Sequence, residues 1–486
     1  MVTHNSGVKI LSAEEVEALY DQGKAAMVAA YLKLQDQIVD LMTRMAALEA
    51  RVNQNSQNSH KPPSSEGYAK PSPQSQRKKT GRRQGGQRGH RGTTLERVEV
   101  ADHVVEHWPM CCEHCQAGLT QTHAQGYEVR QVHDLPPVKI ETTDHRAMRV
   151  QCRWCGHSTQ AAFPANVQSR VQYGSGVMAF GVYATAYQML PIERTCELLE
   201  DLFGRSISGG TIMNWISASA RRLAPTQALI KQAIRGSAVV HVDETGLRVA
   251  GKLHWLHSAG TERLTYYHVD TNRAGQAFER VGILPDFTGT AVHDALPSYL
   301  RQDVRHALCN AHLLRELTGL QEQTRQRWPA QLKGVLIQMK DAVAKAVARG
   351  ADHLPSDILA RLERDFDRCV NRALRANPRP KHSPTQRGRP RASPARNLAE
   401  RLLHHKDSVL RFLHDVHVPF DNNLAERDLR MSKVKQKVSG CFRSLDGARA
   451  FAAIRGYIST VAKQGHAPFA ALRAFFDDRP VQLVLG

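Results

Sequence analysis

The sequence predicts a multidomain α+β/α/β chain, and three observations carry that prediction. The chain has 486 residues, well past the roughly 250–300 at which a single hydrophobic core stops growing. Apolar residues make up 41%, enough to fill real cores and too many for a disordered chain. Their periodicity also changes along the chain, from a helical repeat, through paired cysteines, to short strand-like runs and then helices again. Lys and Arg outnumber Asp and Glu by 66 to 46, a formal net charge of +20. No basic amphipathic helix stands out, so that excess favours nucleic acid over an anionic membrane. No apolar run approaches the roughly 18 residues of a membrane span. Met1–Tyr20 lacks the basic-then-apolar pattern of a secretory signal. A cytoplasmic protein with no membrane association is expected.

Residues 12–52 are predicted to be a coiled-coil helix. Met27, Tyr31, Leu34, Ile38, Leu41, Met45, Leu48 and Val52 alternate spacings of four and three, the heptad period of a self-associating seam. Such a seam implies a homo-oligomer. Residues 53–97 are predicted to be a flexible basic linker. They begin Asn/Gln/Ser/Pro-rich, then carry Arg77, Lys78, Lys79, Arg82, Arg83, Arg88 and Arg91 among glycines with no acid between them. Too little apolar surface is present to offset ordering entropy. An arm that tracks DNA phosphates is the functional reading, and a solvated tail the plainer one.

Residues 98–165 are predicted to be a small zinc-binding module. Cys112 and Cys115, and Cys152 and Cys155, form two Cys-x-x-Cys pairs. Two thiolates at i and i+3 on a tight turn can face one ion, and two such turns complete a tetrahedral structural Zn²⁺ site. Cys111, His114 and His157 are spare ligands that could replace a member of the set. Strands over Tyr127–Val132 and Val138–Glu141 would bring the pairs together. Nine cysteines in a reducing compartment make a disulfide framework a poor alternative.

Residues 170–235 are predicted to be a helical, helix-turn-helix-like DNA-binding domain. A helix over Pro191–Phe203, a turn at Gly204 and a second helix over Gly209–Leu223 capped by Ser208 have that geometry. An ordinary α-hairpin has it too. Residues 236–320 read as the first part of a catalytic core. Strands are expected at Ala238–Asp243, Leu253–Ser258 and Leu264–Val269, a helix near Gln276–Val281 and a strand at Thr290–His293. That order resembles the start of an RNase H-like fold. Residues 321–397 read as a helical insertion ending in a basic loop over Asn377–Arg396, and residues 398–486 as the closing helices of the core.

Three acids carry the chemistry. Asp243 ends the first strand, Asp294 ends the later one, and Glu426 stands near a helix start. Oxygen donors of this kind suit two Mg²⁺ ions roughly 3.5–4 Å apart, which generate a hydroxide nucleophile and stabilise the leaving oxygen at phosphorus. Asn423-x-x-Glu426 also fits a capping box, which would occupy the carboxylate structurally. Arg430, Lys433 and Lys437 follow at helical spacing, a stripe suited to a phosphate backbone. Glu244 and Asp270 are competing acids, with Glu244 alternating to the face opposite Asp243.

Several motifs together resemble the transposase of insertion sequence family 66, a bacterial D-D-E transposase. They are NSHKPPSSEG, GGQRGHRG, the two Cys-x-x-Cys pairs, HVDETG, HDALPSY, ALCNAHLLREL, PFDNNLAERDLR and SGCFRS, in that order. The resemblance implies an RNase H-like catalytic domain with a helical insertion before the glutamate, and gives the D-D-E roles to Asp243, Asp294 and Glu426. It implies cleavage of the element's terminal inverted repeats by activated water, then joining of the 3′-hydroxyls to target DNA. Cys309 and His312 resemble that family's Cys-x-x-His pair, with a supporting role, and Asn423 would orient near the metals. Accessory transposition proteins are further implied partners. A zinc-containing DNA-binding regulator without turnover and an RNase H-like nuclease are the alternative functions.

Overall fold

Capping residues set many element boundaries in the computed structural model, which describes residues 12–59, 89, 95–121, 124–136, 138–380 and 392–486. The basic residues predicted to form the arm, Arg77, Lys78, Lys79, Arg82, Arg83, Arg88 and Arg91, lie outside the described residues. The chain divides into two units, one of 1–70, 143–201 and 205–486, the other of 71–142 and 202–204.

Helix α1 (Ala13–Asp21) opens on a capping box between Ser12 and Glu15, which satisfies two otherwise orphaned N–H groups. Gly23, at φ 92°, separates it from α2 (Lys24–Val52). The seam predicted on α2 is exposed at Tyr31, Leu34, Ile38, Leu41, Met45, Leu48 and Val52. The segment expected to be a linker begins as an ordered turn, where Asn58 Nδ2 donates to the Glu322 carboxylate at 2.9 Å.

In the smaller unit the strands expected over Tyr127–Val132 and Val138–Glu141 do not form. Tyr127, Val132, Leu135 and Val138 are all exposed, and a strand with no apolar face to bury has nothing to offset the entropy of ordering it. The hairpin of this region lies instead in the larger unit, where β1 (Arg149–Gln151) pairs antiparallel with β2 (Ser158–Gln160) around the second cysteine pair.

Helix α3 (Ser175–Val182) runs into a π-helical turn, and α4 (Ile192–Phe203) comes next. Gly204, at φ 63°, ends it. Helix α5 (Gly209–Arg235) starts as predicted, with Ser208 accepting from the Thr211 N–H. It does not stop near Leu223 but continues through Pro225. An interior proline costs about 3 kcal/mol, and burial of Ile230 and Ile234 beyond it returns roughly 1.5–3 kcal/mol each.

The central sheet is built from the next five strands. Strand β3 (Val239–Val249) turns at Ala250 and Gly251, both at positive φ, into β4 (Lys252–Gly260), and β5 (Thr265–Asp270) completes an antiparallel trio. Helix α6 (Gln276–Val281) leads to β6 (Thr290–His293), parallel to β3, and then to β7 (Arg305–Leu308), parallel to β6. The order is β5-β4-β3-β6-β7. Strand β7 has no counterpart in the sequence prediction, because Arg-His-Ala-Leu is short and lacks the β-branched residues that mark strands.

Helices complete the chain: α7 (Asn310–Thr324), α8 (Trp328–Ala348), α9 (Ser356–Ala376), α10 (Pro394–His404), α11 (Lys406–Val409), α12 (Arg411–His414), α13 (Asn423–Ser439), α14 (Leu445–Lys463) and α15 (Pro468–Phe476). One face of the sheet packs Val240 and Val242 on Ile230 and Ile234 of α5 and Phe278 of α6. Leu247, Leu256 and Val269 pack on Leu429 of α13 and Ala448 of α14. Val292 and Leu308 share a core with Leu317, Trp328, Phe366 and Leu402, so the inserted helices extend the β6–β7 end of the sheet. The basic loop expected over Asn377–Arg396 is fixed at both ends. Asn377 is buried and Arg396 holds Glu400 at 2.7 Å, while 381–391 lie outside the described residues.

Gly289 is where β3 and β6 first meet. A Cβ there would stand 2.5 Å from the Ala238 carbonyl oxygen and 2.7 Å from that of Ser237. Gly289→Ala must push the strands apart, so it is expected to destabilise the protein by about 1–3 kcal/mol, read from urea unfolding. An unchanged midpoint would show that this approach is not tight.

Candidate active site at the ends of β3 and β6

Val239, Val240 and His241 of β3 lie opposite Thr290, Ala291 and Val292 of β6. Carried forward, that register sets Asp243 level with Asp294. Asp243 does not end its strand as the sequence predicts: pairing with β4 carries β3 on to Val249, whereas Asp294 directly follows β6. The two acids thus stand level on neighbouring parallel strands. Asp294 Oδ1 accepts from the Leu296 N–H at 3.2 Å, which fixes the turn after β6. His293 Nε2 faces His306 Nδ1 at 3.0 Å, and burial pushes its pKa down to about 4.

Burial is the main cause that lifts the Asp243 carboxyl well above its ordinary value. Repulsion from Glu244 and Asp294 adds to it, and Glu426 contributes less. The Glu244 N–H donates to Asp243 Oδ1 at 2.8 Å and offsets part of this. Like charges about 4 Å apart near a protein surface repel by about 4 kcal/mol, whereas a hydrogen bond returns about 1 kcal/mol net. Hydrogen bonds alone do not make such a cluster comfortable when fully ionised.

Glu244 lies on the other face of β3, as strand alternation requires. Its carboxylate is buried, bonded to Arg273 Nε at 2.8 Å and to the Tyr299 hydroxyl at 2.5 Å. Arg273 also lies over the Trp255 ring. Asp270, the other competing acid, is held by Arg280 through contacts of 2.6 and 2.7 Å, which keep it far below the usual carboxylate range. Both acids have partners of their own.

Glu426 reaches the site from the first turn of α13. The capping-box expectation fails here. Asn422, not Asn423, is the N-cap, and it makes no side-chain cap bond. The Glu426 carboxylate instead faces Arg315 Nη2 at 3.5 Å and His312 Nδ1 at 3.8 Å. Burial raises its pKa, and Arg315 pulls the other way.

Asn422 is the residue that sequence reasoning missed. It is almost fully buried. Its Nδ2 donates to the Val242 carbonyl at 2.9 Å, and its Oδ1 pairs with His241 Nδ1 at 2.8 Å. Its backbone N–H donates to Cys309 Sγ at 3.1 Å. One side chain therefore ties the start of the Glu426 helix to the strand that carries Asp243. The available signal was the Asp-Asn-Asn run, in which the residue just outside the helix, rather than the first one inside, has its side chain free to reach across.

The sequence model of the transposase IS66 family matches residues 170–450, more than half of the chain. The chain belongs to that family. A family of unknown function (DUF6444) matches residues 8–96. No curated protein matches the chain. The transposase match spans α5, the sheet, α13 and all three acids, so the family assignment covers the whole candidate site.

The remaining predicted residues divide by surroundings. On α13, Arg430 and Lys437 are exposed, whereas Lys433 turns inward and donates to the Gly246 carbonyl at 2.7 Å. Cys112 lies in the smaller unit and Cys152 in the larger, and their turns are alike. In the first, Cys112 N–H donates to Ala117 and Gln116 N–H to Cys112; in the second, Cys152 N–H donates to His157 and Gly156 N–H to Cys152. Hydrogen bonds from the backbone of Cys115 and then His114 lower the pKa of Cys112, and those of Cys155 and then Trp154 do the same for Cys152. Among the described residues, one set of three metal-capable side chains has its ligand atoms within 4.8 Å of one another: Cys309, His312 and Glu426.

Asn422→Ala leaves buried partners on His241 and Val242 without their bonds. Each unpaired buried group costs about 1–3 kcal/mol, so the variant is expected to unfold at clearly lower urea while keeping its far-UV circular dichroism. Asn423→Ala, at an exposed position, is expected to leave the midpoint unchanged. Equal midpoints for the two variants would refute the clamp.

Proposed function

We propose that this transposase uses D-D-E chemistry, with Asp243, Asp294 and Glu426 as the ligands of two catalytic Mg²⁺ ions. It would cut the ends of its insertion sequence and join the 3′-hydroxyls to target DNA. The observation that carries this reading is the shared height of Asp243 and Asp294 on neighbouring parallel strands, with the Glu426 helix tied to the same strand through Asn422. Three antiparallel strands followed by two parallel ones, with helices inserted before the glutamate, support an RNase H-like core. The donor set fits the ions, since hard oxygen ligands that repel one another without a cation suit a hard divalent one. When bound, Mg²⁺ supplies an activated water and charge stabilisation at the leaving oxygen.

The chain's own groups do the positioning. Asp243, inside β3, and Asp294, directly after β6, are held by the sheet's hydrogen bonds. Arg273 and Tyr299 keep Glu244 out of the ligand set. Arg430 and Lys437, exposed on α13, are suited to DNA phosphates beside the acids, and the predicted basic arm over Arg77, Lys78, Lys79, Arg82, Arg83, Arg88 and Arg91 would add further contacts. Each such contact steepens the salt dependence of binding. Each cysteine turn, Cys112 with Cys115 and Cys152 with Cys155, presents two thiols suited to structural Zn²⁺. Most of the module's described apolar residues are exposed, and small domains without a core rely on such staples. The exposed heptad seam of α2 supports a homo-oligomer, with double-stranded DNA and accessory transposition proteins as partners. No described helix is long and apolar enough to cross a membrane.

Incubation with a labelled terminal inverted repeat and Mg²⁺ tests the reading. Joined products are expected. Cut ends alone would make the protein a nuclease, and a mobility shift without cutting would make it a DNA-binding regulator. Asp243→Asn, Asp294→Asn and Glu426→Gln are each expected to bind DNA and to lose cleavage by at least about 100-fold, since even outer-sphere changes at metal sites cost 10–100-fold.

Asp243 also imposes a pH dependence. Its pKa is raised in the folded protein, so the metal-free fold loses stability as pH rises from the ordinary carboxyl value through the raised one. A divalent cation offsets that loss once the group is ionised. Thermal melts are expected to show a larger gain from Mg²⁺ at about pH 8 than at about pH 5, and Asp243→Asn should flatten the difference. A gain independent of pH in the parent protein would argue against Asp243 as a ligand.

A further inference from the structure

We propose that Cys309, His312 and Glu426 form a transition-metal site that takes an ion of the Zn²⁺ class. Cys309 and His312 stand at i and i+3 across the start of α7, and Glu426 approaches from the first turn of α13. Their ligand atoms lie within 4.8 Å of one another, and His312 Nδ1 is 3.8 Å from Glu426 Oε1. Ligands bonded to tetrahedral Zn²⁺ at about 2.0–2.3 Å stand roughly 3.3–3.8 Å apart. An imidazole and carboxylate pair belongs at the short end of that range, so these two need to close by about half an ångström, and the thiol by up to about 1 Å.

Donor chemistry selects the ion. A thiolate, an imidazole and a carboxylate make a mixed S, N, O set that favours Zn²⁺, Co²⁺ or a similar metal over Mg²⁺, which prefers oxygen alone. The scaffold is rigid on the thiol side. Cys309 is buried, and its backbone N–H donates to the His293 carbonyl at 2.9 Å. The Asn422 N–H points at Cys309 Sγ from 3.1 Å, the outer-sphere bond that orients and stabilises a ligating thiolate. The Glu426 side chain keeps 35% of its surface exposed, so solvent water can supply a fourth ligand. Binding displaces the thiol proton to solvent and forms the metal–sulfur bond, with no change of oxidation state. Glu426 is a single carboxylate, so an ion held here competes with the proposed catalytic ions for it. That consequence rests on the D-D-E reading; the binding itself does not.

Co²⁺ is the probe, because a bound thiolate gives it a near-ultraviolet charge-transfer band. The full chain, stripped of metal with chelator and free of DNA and Mg²⁺, is titrated beside Cys309→Ser and His312→Gln. The predicted cysteine turns also take Co²⁺, so the difference between parent and variant isolates this site. The parent is expected to bind one more Co²⁺ per chain than either variant, and Cys309→Ser to lose one thiolate's share of the band. Circular dichroism checks that each variant is folded. If Cys309→Ser is not, His312→Gln decides, since its side chain is partly exposed. Equal stoichiometry and superimposable spectra in a folded variant would overturn the proposal. Cleavage by Asp243→Asn and Asp294→Asn, neither of which belongs to this site, bears on the D-D-E reading alone, so the two failures are distinguishable.

Discussion

The site is governed by the cost of placing several carboxylates where the pairing of two parallel strands ends. Asp243 and Glu244 are adjacent in sequence, and a strand eases their repulsion, without removing it, by sending them to opposite faces. On one face Glu244 is neutralised by Arg273 and by the Tyr299 hydroxyl. On the other, burial is what chiefly raises Asp243, repulsion from Glu244 and Asp294 adds to it, and Glu426 contributes less. The β3–β6 register and the docking of α13 both act to hold that unfavourable arrangement together. A protein that needed only stability would replace such acids, so their retention beside one another is an argument for a cation-dependent role.

Helix α13 is fastened along its length to make this possible. Asn422 ties its start to β3. Two residues after Glu426, Asp428 pairs with Lys463 of α14 at 2.7 Å, and its carbonyl accepts from the Tyr267 hydroxyl at 2.7 Å. Further on, Lys433 and Gln436 both donate to Gly246. Each bond returns only about 1 kcal/mol net, but breaking one that is buried costs more than it returns. The result is a helix whose position relative to β3 is over-determined. A residue that looked like a phosphate contact, Lys433, is part of that fastening, and the flanking Arg430 and Lys437 remain on the surface.

Much of this was legible in the sequence, for identifiable reasons. Strands β3 to β6 are rich in β-branched and aromatic residues, and Asp294 stands where β6 ends, whereas β3 runs on past Asp243 to Val249. The start of α5 was announced by Ser208. The features that escaped prediction depend on tertiary contacts. Strand β7 has no propensity of its own and exists because β6 offers it an edge. Helix α5 outlasts Pro225 because the sheet buries Ile230 and Ile234 beyond it. The runs at 127–132 and 138–141 have strand-like composition but no face to bury. Between Asn422 and Asn423, local spacing favoured the residue three before Glu426, and only the packing of α13 on β3 shows that its neighbour does the holding.

Donor chemistry separates the metal-capable groups of the larger unit. Cys152 stands on a turn whose backbone N–H groups favour the thiolate, and Gly156 adopts φ 73° to close it. Asp243 and Asp294 are oxygen donors at the sheet. Glu426 is linked to both kinds: its charge contributes to raising Asp243, and its ligand atom lies within 4.8 Å of those of Cys309 and His312. A thiolate and an imidazole do not compete for Mg²⁺, and a pair of aspartates competes poorly for a thiophilic ion. On the two proposals together, the ion held near Glu426 would depend on which way that one carboxylate turns, and Arg315, 3.5 Å from it on the α7 side, would bias the turn.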